Sequence, residues 1–180
     1  MLYVFDGLKR SLAECEEYAT GYSICSDETK MDDLITQLVN ELNHRRRELK
    51  SSMSDLDFDE EGFALKQNPI VIIVDEASEF IKHVSEANKK KIRLISKQAK
   101  SLGVMIFVAG RLGNFEQLYE SEPVVYDWIE SQHGLIMSGT VGSHSFFKNS
   151  LGYAEKSYEL KEGEAYLVDK GEVKKIKPAG

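Results

Sequence analysis

Ile70-Val71-Ile72-Ile73-Val74 runs directly into Asp75-Glu76. Five consecutive β-branched residues with no polar alternation predict a strand covered on both faces, the mark of a parallel sheet. Downstream, the pattern predicts a helix over 86–102, then Gly103, then a second apolar run, Val104-Met105-Ile106-Phe107-Val108-Ala109. A helix over 122–132 leads to a third run, Gly134-Leu135-Ile136-Met137-Ser138. Upstream, Leu2-Tyr3-Val4-Phe5 reads as a buried strand closed by Asp6-Gly7, and the mixed stretch from Ser11 to Tyr22 has room for a short helix. Met31, Leu34, Ile35, Leu38, Leu42 and Leu49 fall at helical spacing, predicting an amphipathic helix over 30–50 with a capping-box start at Thr29 and Asp32. Strands alternating with helices indicate a parallel α/β sheet into which the third run also fits. Residues 51–69, rich in Asp and Glu, read as an acidic variable loop, and residues 164–177 as a C-terminal β-hairpin.

Composition narrows the function classes. A chain of 180 residues, 42% hydrophobic, can bury its own core. A net charge of −7 disfavours a free-standing nucleic-acid binder, because phosphate is repelled unless cations cluster on one face. No apolar run approaches the roughly 20 residues that span a bilayer. Met1 to Asp6 lack the charged start of a signal peptide. Cys15 and Cys25 make neither a disulfide framework nor a metal site, and a reducing compartment fits them. The histidines at 44, 83, 133 and 144 lack zinc spacing.

The chemistry concentrates at Asp75-Glu76. Ligands of α/β sheets bind beyond the carboxyl ends of the strands. There one carboxylate can hold a hydrated Mg²⁺ on a nucleotide phosphate, and a second can polarise the attacking water, which is the Walker-B arrangement. From this segment alone, an ordinary strand ending in a polar turn is the favoured reading. The partner motif, Gly-x-x-x-x-Gly-Lys-Ser/Thr, is absent. Gly139-Thr140-Val141-Gly142-Ser143 and Gly110-Arg111-Leu112-Gly113 contain no lysine and read as turns. Ser143-His144-Ser145 with Asp127 has no nucleophile elbow to support a hydrolytic triad. Lys89, Lys90, Lys91, Arg93, Lys97 and Lys100 read as the solvated side of a helix, although a DNA-tracking surface has the same composition. Arg45, Arg46 and Arg47 read as surface salt-bridge residues, with a residue reaching a neighbouring subunit's nucleotide as the functional alternative.

Several segments, in order, resemble the FtsK/SpoIIIE-type translocation ATPases. Leu2 to Gly7 looks like their apolar-apolar-apolar-Asp strand. Glu41-Leu42-Asn43-His44-Arg45-Arg46-Arg47 resembles their Glu-apolar-x-x-Arg-Arg helix. A variable loop then precedes a Walker-B strand, here 51–69 and Pro69 to Phe80, followed by Arg93-Leu94 through Gly103 into Val104–Ala109. The resemblance covers nearly the whole chain and is nearest to the last ATPase module of type VII secretion proteins of the EssC/YukB type. It implies an α/β, RecA-like P-loop NTPase core with a parallel sheet plus a C-terminal β-hairpin. That core is incomplete, because its first strand and Walker A are absent, so 1–180 would be a single partial domain. The missing strand would lie between the Walker-B strand and 104–109.

For the site, the resemblance implies Glu76 as the catalytic base, and Asp75 as the nucleotide-binding and metal residue, holding Mg through water. Arg111 would touch the nucleotide, although the family's Thr-Gln-Arg-Pro is replaced here by Gly110-Arg111-Leu112-Gly113. ATP and Mg would serve the complete module, with none bound by this chain. The implied function is coupling of ATP binding or hydrolysis to translocation of small secreted proteins, with this fragment inactive or weakly active. A non-catalytic recognition module is the alternative. Implied partners are other modules of the same ATPase, secreted WXG100-type proteins and further copies in an oligomer, with DNA disfavoured. The implied location is the cytosolic part of a membrane-anchored secretion protein.

Overall fold

The apolar runs become strands of a parallel sheet. In chain order, the first 110 residues form β1 (Leu2–Asp6), β2 (Gly21–Ile24), α1 (Glu28–Ser52), α2 (Glu60–Lys66), β3 (Ile70–Val74), α3 (Ala77–His83), α4 (Glu86–Gln98) and β4 (Val104–Val108). The computed structural model describes residues 1–53, 57–143, 146–149 and 151–177. Its contacts divide the chain into two units, Met1–Gly110 and Arg111–Gly180.

The sheet of the first unit has the order β2-β1-β3-β4, with every neighbouring pair parallel. The central pair is in register from Leu2↔Val71 to Phe5↔Val74, and β3 pairs with β4 from Ile70↔Val104 to Val74↔Val108. This unbroken five-residue ladder corrects the expectation of a strand between the Walker-B-like run and 104–109. Two apolar runs of equal length satisfy each other's backbone groups and leave no space for a third. β4 therefore ends the sheet, with Met105 47% and Phe107 57% exposed.

Ile70, Ile72 and Val74 are buried with Tyr3 and Phe5, and the Phe80 ring of α3 meets Phe5 edge-on at 5.1 Å. The apolar stripe of α1 is buried as its spacing predicted, through Met31, Leu34, Ile35, Leu38 and Leu42. Its start lies earlier than Thr29, because the Asp27 carboxylate accepts the Lys30 N–H at 3.1 Å and caps the first turn. Arg45, predicted at the surface, is 2% exposed. It donates to Glu41 at 3.0 Å, to the Leu102 carbonyl at 3.0 Å and to the Asn68 carbonyl at 2.7 Å. Its guanidinium thus ties the helix to the segments entering β3 and β4. The acidic stretch 51–69 holds α2, opened where Phe63 N–H donates to the Asp59 carbonyl, and Asp55 lies outside the described residues. α4 stops at Gln98, before its predicted end, and the chain turns at Gly103, whose φ of +67° suits glycine.

The second unit comprises α5 (Leu112–Ser121), α6 (Pro123–Ile129), β5 (His133–Ile136), α7 (Tyr153–Lys156), β6 (Ala165–Asp169) and β7 (Glu172–Ile176). The predicted hairpin is present as β6 and β7, in register from Ala165↔Ile176 to Asp169↔Glu172. The third apolar run does not join the parallel sheet. It forms β5, antiparallel to β6 from His133↔Asp169 to Ile136↔Tyr166, in a sheet ordered β5-β6-β7. Only Ile136 of β5 is buried, with Leu135 57% and Met137 73% exposed, so an apolar run here does not mark burial on both faces. The small core of this unit is Ile136, Val141, Tyr166 and Val168, with Phe147, Leu151 and Tyr158 against it. Tyr119 stacks on Tyr126 at 5.5 Å. His144 and Ser145 of the rejected triad, and the side chain of Ser143, lie outside the described residues.

Candidate functional site

β1 and β3 both end in aspartate. Because Phe5 is paired with Val74, and the Asp75 N–H donates to the Phe5 carbonyl at 2.9 Å, Asp6 and Asp75 are cross-strand neighbours at the carboxyl edge of the sheet. Asp6 is fully buried. Its Oδ2 accepts from the Tyr22 hydroxyl at 2.6 Å and from the Leu12 N–H at 3.1 Å, whereas its Oδ1 is buried with no hydrogen-bond partner. Burial, then the charge of Asp6 beside it, pushes the Asp75 carboxyl above its ordinary range, and the Gly7 N–H donating to it pulls the other way. Glu79 joins this group, its carboxylate accepting the Leu8 N–H. The backbone can pass between the acids because residue 7 is glycine: a Cβ there would sit 3.2 Å from Asp75 Oδ2 and 3.2 Å from Glu79 Oε2.

Glu76 sits at the turn from β3 into α3 with φ 55° and ψ 74°, a left-handed conformation that non-glycine residues rarely adopt. The turn is held by its neighbours, since Ala77 N–H donates to the Ala109 carbonyl at 2.8 Å and Ala109 N–H to the Val74 carbonyl at 2.9 Å. Strained backbone at a strand end is a recurring property of sites where a side chain must be aimed. Of the sequence-predicted residues, Asp75 and Glu76 thus share one turn, while Arg111 opens the second unit as the residue before α5. Arg46 and Arg47, unlike Arg45, are exposed on α1. In the lysine-rich segment, Ile92 and Ile95 are buried and Lys90, Lys97 and Lys100 are exposed, whereas the Lys89 side chain, 12% exposed, pairs with Glu86 at 2.8 Å, so the six cations do not all lie on a solvated side.

Cys25 is buried, and its thiol is pushed up to about 12 by burial first and then by the negative charge of Glu79, Asp6 and Asp75. Burial, more than the neighbouring charges, therefore holds the thiol protonated. Thiolate is the reactive form, so labelling at pH 8 is expected to modify the half-buried Cys15 and leave Cys25 intact until the protein unfolds. Equal labelling of both in the folded chain, read by mass spectrometry, would contradict this electrostatic picture.

Sequence reading passed over Asp6 and Glu79 as site residues. A signal for Asp6 was present, since two apolar runs each end in Asp, and parallel pairing sets such ends side by side. Glu79 lies within α3, which no apolar periodicity announced. Among the described residues no three metal-ligating side chains converge, and no helix is long and apolar enough to cross a membrane.

No family model matches the chain, and no curated protein sequence does. Solved structures do. The cytoplasmic domain of EssC superposes with a TM-score of 0.80 at 19% identity, over 98% of this chain and 33% of that one. EccC (ATPases 2 and 3) from Thermomonospora curvata, solved in complex with a signal sequence peptide, gives 0.69 at 19% identity, over 99% of this chain and 30% of that one. The cytoplasmic domain of the type VII secretion ATPase EccC from the same organism gives 0.64 at 18% identity, over 94% and 20% respectively. The chain spans a third or less of the length of these structures. With its parallel sheet and carboxylate-bearing strand ends, it has the fold of the P-loop ATPase domains found in EssC and EccC.

Proposed function

We propose that the chain is an ATPase-lineage module, C-terminal in its parent, of a type VII secretion motor, acting on the cytosolic side of a membrane-anchored protein. The observation that carries this reading is the Asp75-Glu76 pair at the carboxyl end of a parallel strand, in the fold of EssC and EccC ATPase domains. The residues fit a hydrated magnesium ion, because Asp6 has an orphaned buried oxygen on the strand end beside Asp75. When bound with nucleotide, magnesium would offset phosphate charge. Asp75 would hold the ion through water, Glu76 would accept the proton of the attacking water, and Arg111 would be a nucleotide-binding residue. The partners of this reading are neighbouring modules of the same ATPase, further copies in an oligomer, and small secreted proteins of the WXG100 type. The 180 residues contain no phosphate-binding Gly-x-x-x-x-Gly-Lys-Ser/Thr loop, whose amides and lysine dominate triphosphate binding, so turnover by this chain alone is weak or nil.

Gly110-Arg111-Leu112-Gly113, with only an arginine where the resembled ATPases carry Thr-Gln-Arg-Pro, favours a second reading as a non-catalytic module that recognises secreted substrates. Isothermal titration of the chain with Mg-ATP and with a type VII signal peptide separates the two. The motor reading expects measurable Mg-ATP binding that Asp75→Ala weakens. Peptide binding without nucleotide binding selects the recognition module, and binding of neither overturns both.

A further inference from the structure

We propose that Asp6 is a second carboxylate of the divalent-cation site anchored by Asp75, so that the ion is held from two adjacent strand ends rather than one. The proposal rests on the reading of Asp75 as the metal residue. Asp6 is fully buried, yet Tyr22 and Leu12 satisfy only Oδ2. The second oxygen has no donor, and Asp6 forms no ion pair among the described residues. The nearby Arg10 guanidinium is engaged by Tyr22 and Glu16 instead. A buried carboxylate oxygen left without a donor is strongly unfavourable and calls for a cation or a shared proton.

The neighbour that the Asp6 carboxyl meets is itself acidic. The register of β1 on β3 brings Asp6 beside Asp75 at the carboxyl edge of the sheet. Asp75 is only half-buried, which opens the pair to solvent on its side. Two carboxylates with the remaining positions left to water suit magnesium, which keeps several of its waters and takes one or two carboxylates. They also agree with the absence of a three-ligand cluster among the described residues.

The test uses Mn²⁺ as a magnesium probe on the whole chain without nucleotide, with free Mn²⁺ measured by electron paramagnetic resonance. One ion is expected to bind, and Asp6→Asn and Asp75→Asn are each expected to weaken it by about tenfold or more. Asp33→Asn, on the exposed side of α1, should leave affinity unchanged. Thermal melting without metal checks folding, and both site variants should melt no lower than the parent, because each removes a like charge from the pair. A measurement needing no variant is paramagnetic broadening of carboxyl carbon signals in the parent chain, where Asp6 and Asp75 should broaden together and Asp33 should not. Wild-type affinity in Asp6→Asn with loss in Asp75→Asn, or broadening of Asp75 alone, overturns the role of Asp6 and leaves Asp75 standing. Unchanged affinity in Asp75→Asn overturns the Asp75 reading on which the proposal rests. No Mn²⁺ binding to the parent, with a higher melting point in Asp6→Asn, assigns the pair a shared proton and overturns the site.

Discussion

Arg45→Ala is expected to destabilise the protein by about 3–5 kcal/mol, the range for breaking a buried, hydrogen-bonded charge pair. The loss arises from what the guanidinium leaves behind. The carbonyls of Asn68 and Leu102, just before β3 and β4, lose their Arg45 donors, and Glu41 loses its ion-pair partner. Arg45→Lys is expected to recover little of this, because one ammonium cannot reproduce a planar fork that meets three acceptors from fixed directions. For a chain of this size the alanine variant should melt roughly 10 °C lower, at about 2–4 °C per kcal/mol. Urea unfolding of the three proteins measures it, and a midpoint for Arg45→Ala close to the parent's would show that the fork is not structural.

Phe80→Ala is expected to remove about 3–5 kcal/mol by leaving a cavity against Phe5 in a fully buried site. The effect should extend to the site, because Phe80 is the apolar anchor of α3, the helix that begins after Glu76 and carries Glu79. With that anchor gone, the hold of Glu79 on Leu8 and the cover over Cys25 should loosen together. The reporter is the rate at which Cys25 reacts with a thiol reagent at pH 8, expected to rise well above the parent's, while Phe80→Leu, which keeps most of the volume, should change it little. A destabilised Phe80→Ala in which Cys25 stays protected would separate core packing from the carboxylate edge.

How far the fold was legible follows from which residues face what. The run 70–74 declared itself because a central parallel strand is apolar on both faces, 104–108 because it is equally apolar although it ends the sheet, and α1 because its stripe keeps helical spacing from Met31 to Leu42. β2 was not announced, since Gly21-Tyr22-Ser23-Ile24 has no apolar run and is a strand only because β1 offers it a partner. β5 was placed in the wrong sheet for the complementary reason: composition does not specify a partner, and the β6 edge claims the run at 133–136. At the site, Asp75 and Glu76 were visible as a motif. Asp6 became a site residue only through register, which brings together positions 69 residues apart that no local pattern connects. The burial of Arg45 was likewise hidden, because a charged tripeptide on a helix reads as surface until the carbonyls that need its donors are known.

The terminal position of β4 has a consequence for how the molecule behaves in a crowded solution. An edge strand is a template for further strands, and soluble proteins usually guard it with lysine, proline or a covering element. Here the edge carries Met105 and Phe107 toward solvent and no charge within Val104–Val108. The protection is global instead: the net charge of −7 repels like molecules at a distance. Salt shortens that reach to about 8 Å at physiological ionic strength and leaves the apolar edge untouched. Colloidal stability is therefore a contest between an apolar strand edge and a diffuse charge, and only the charge yields to the buffer.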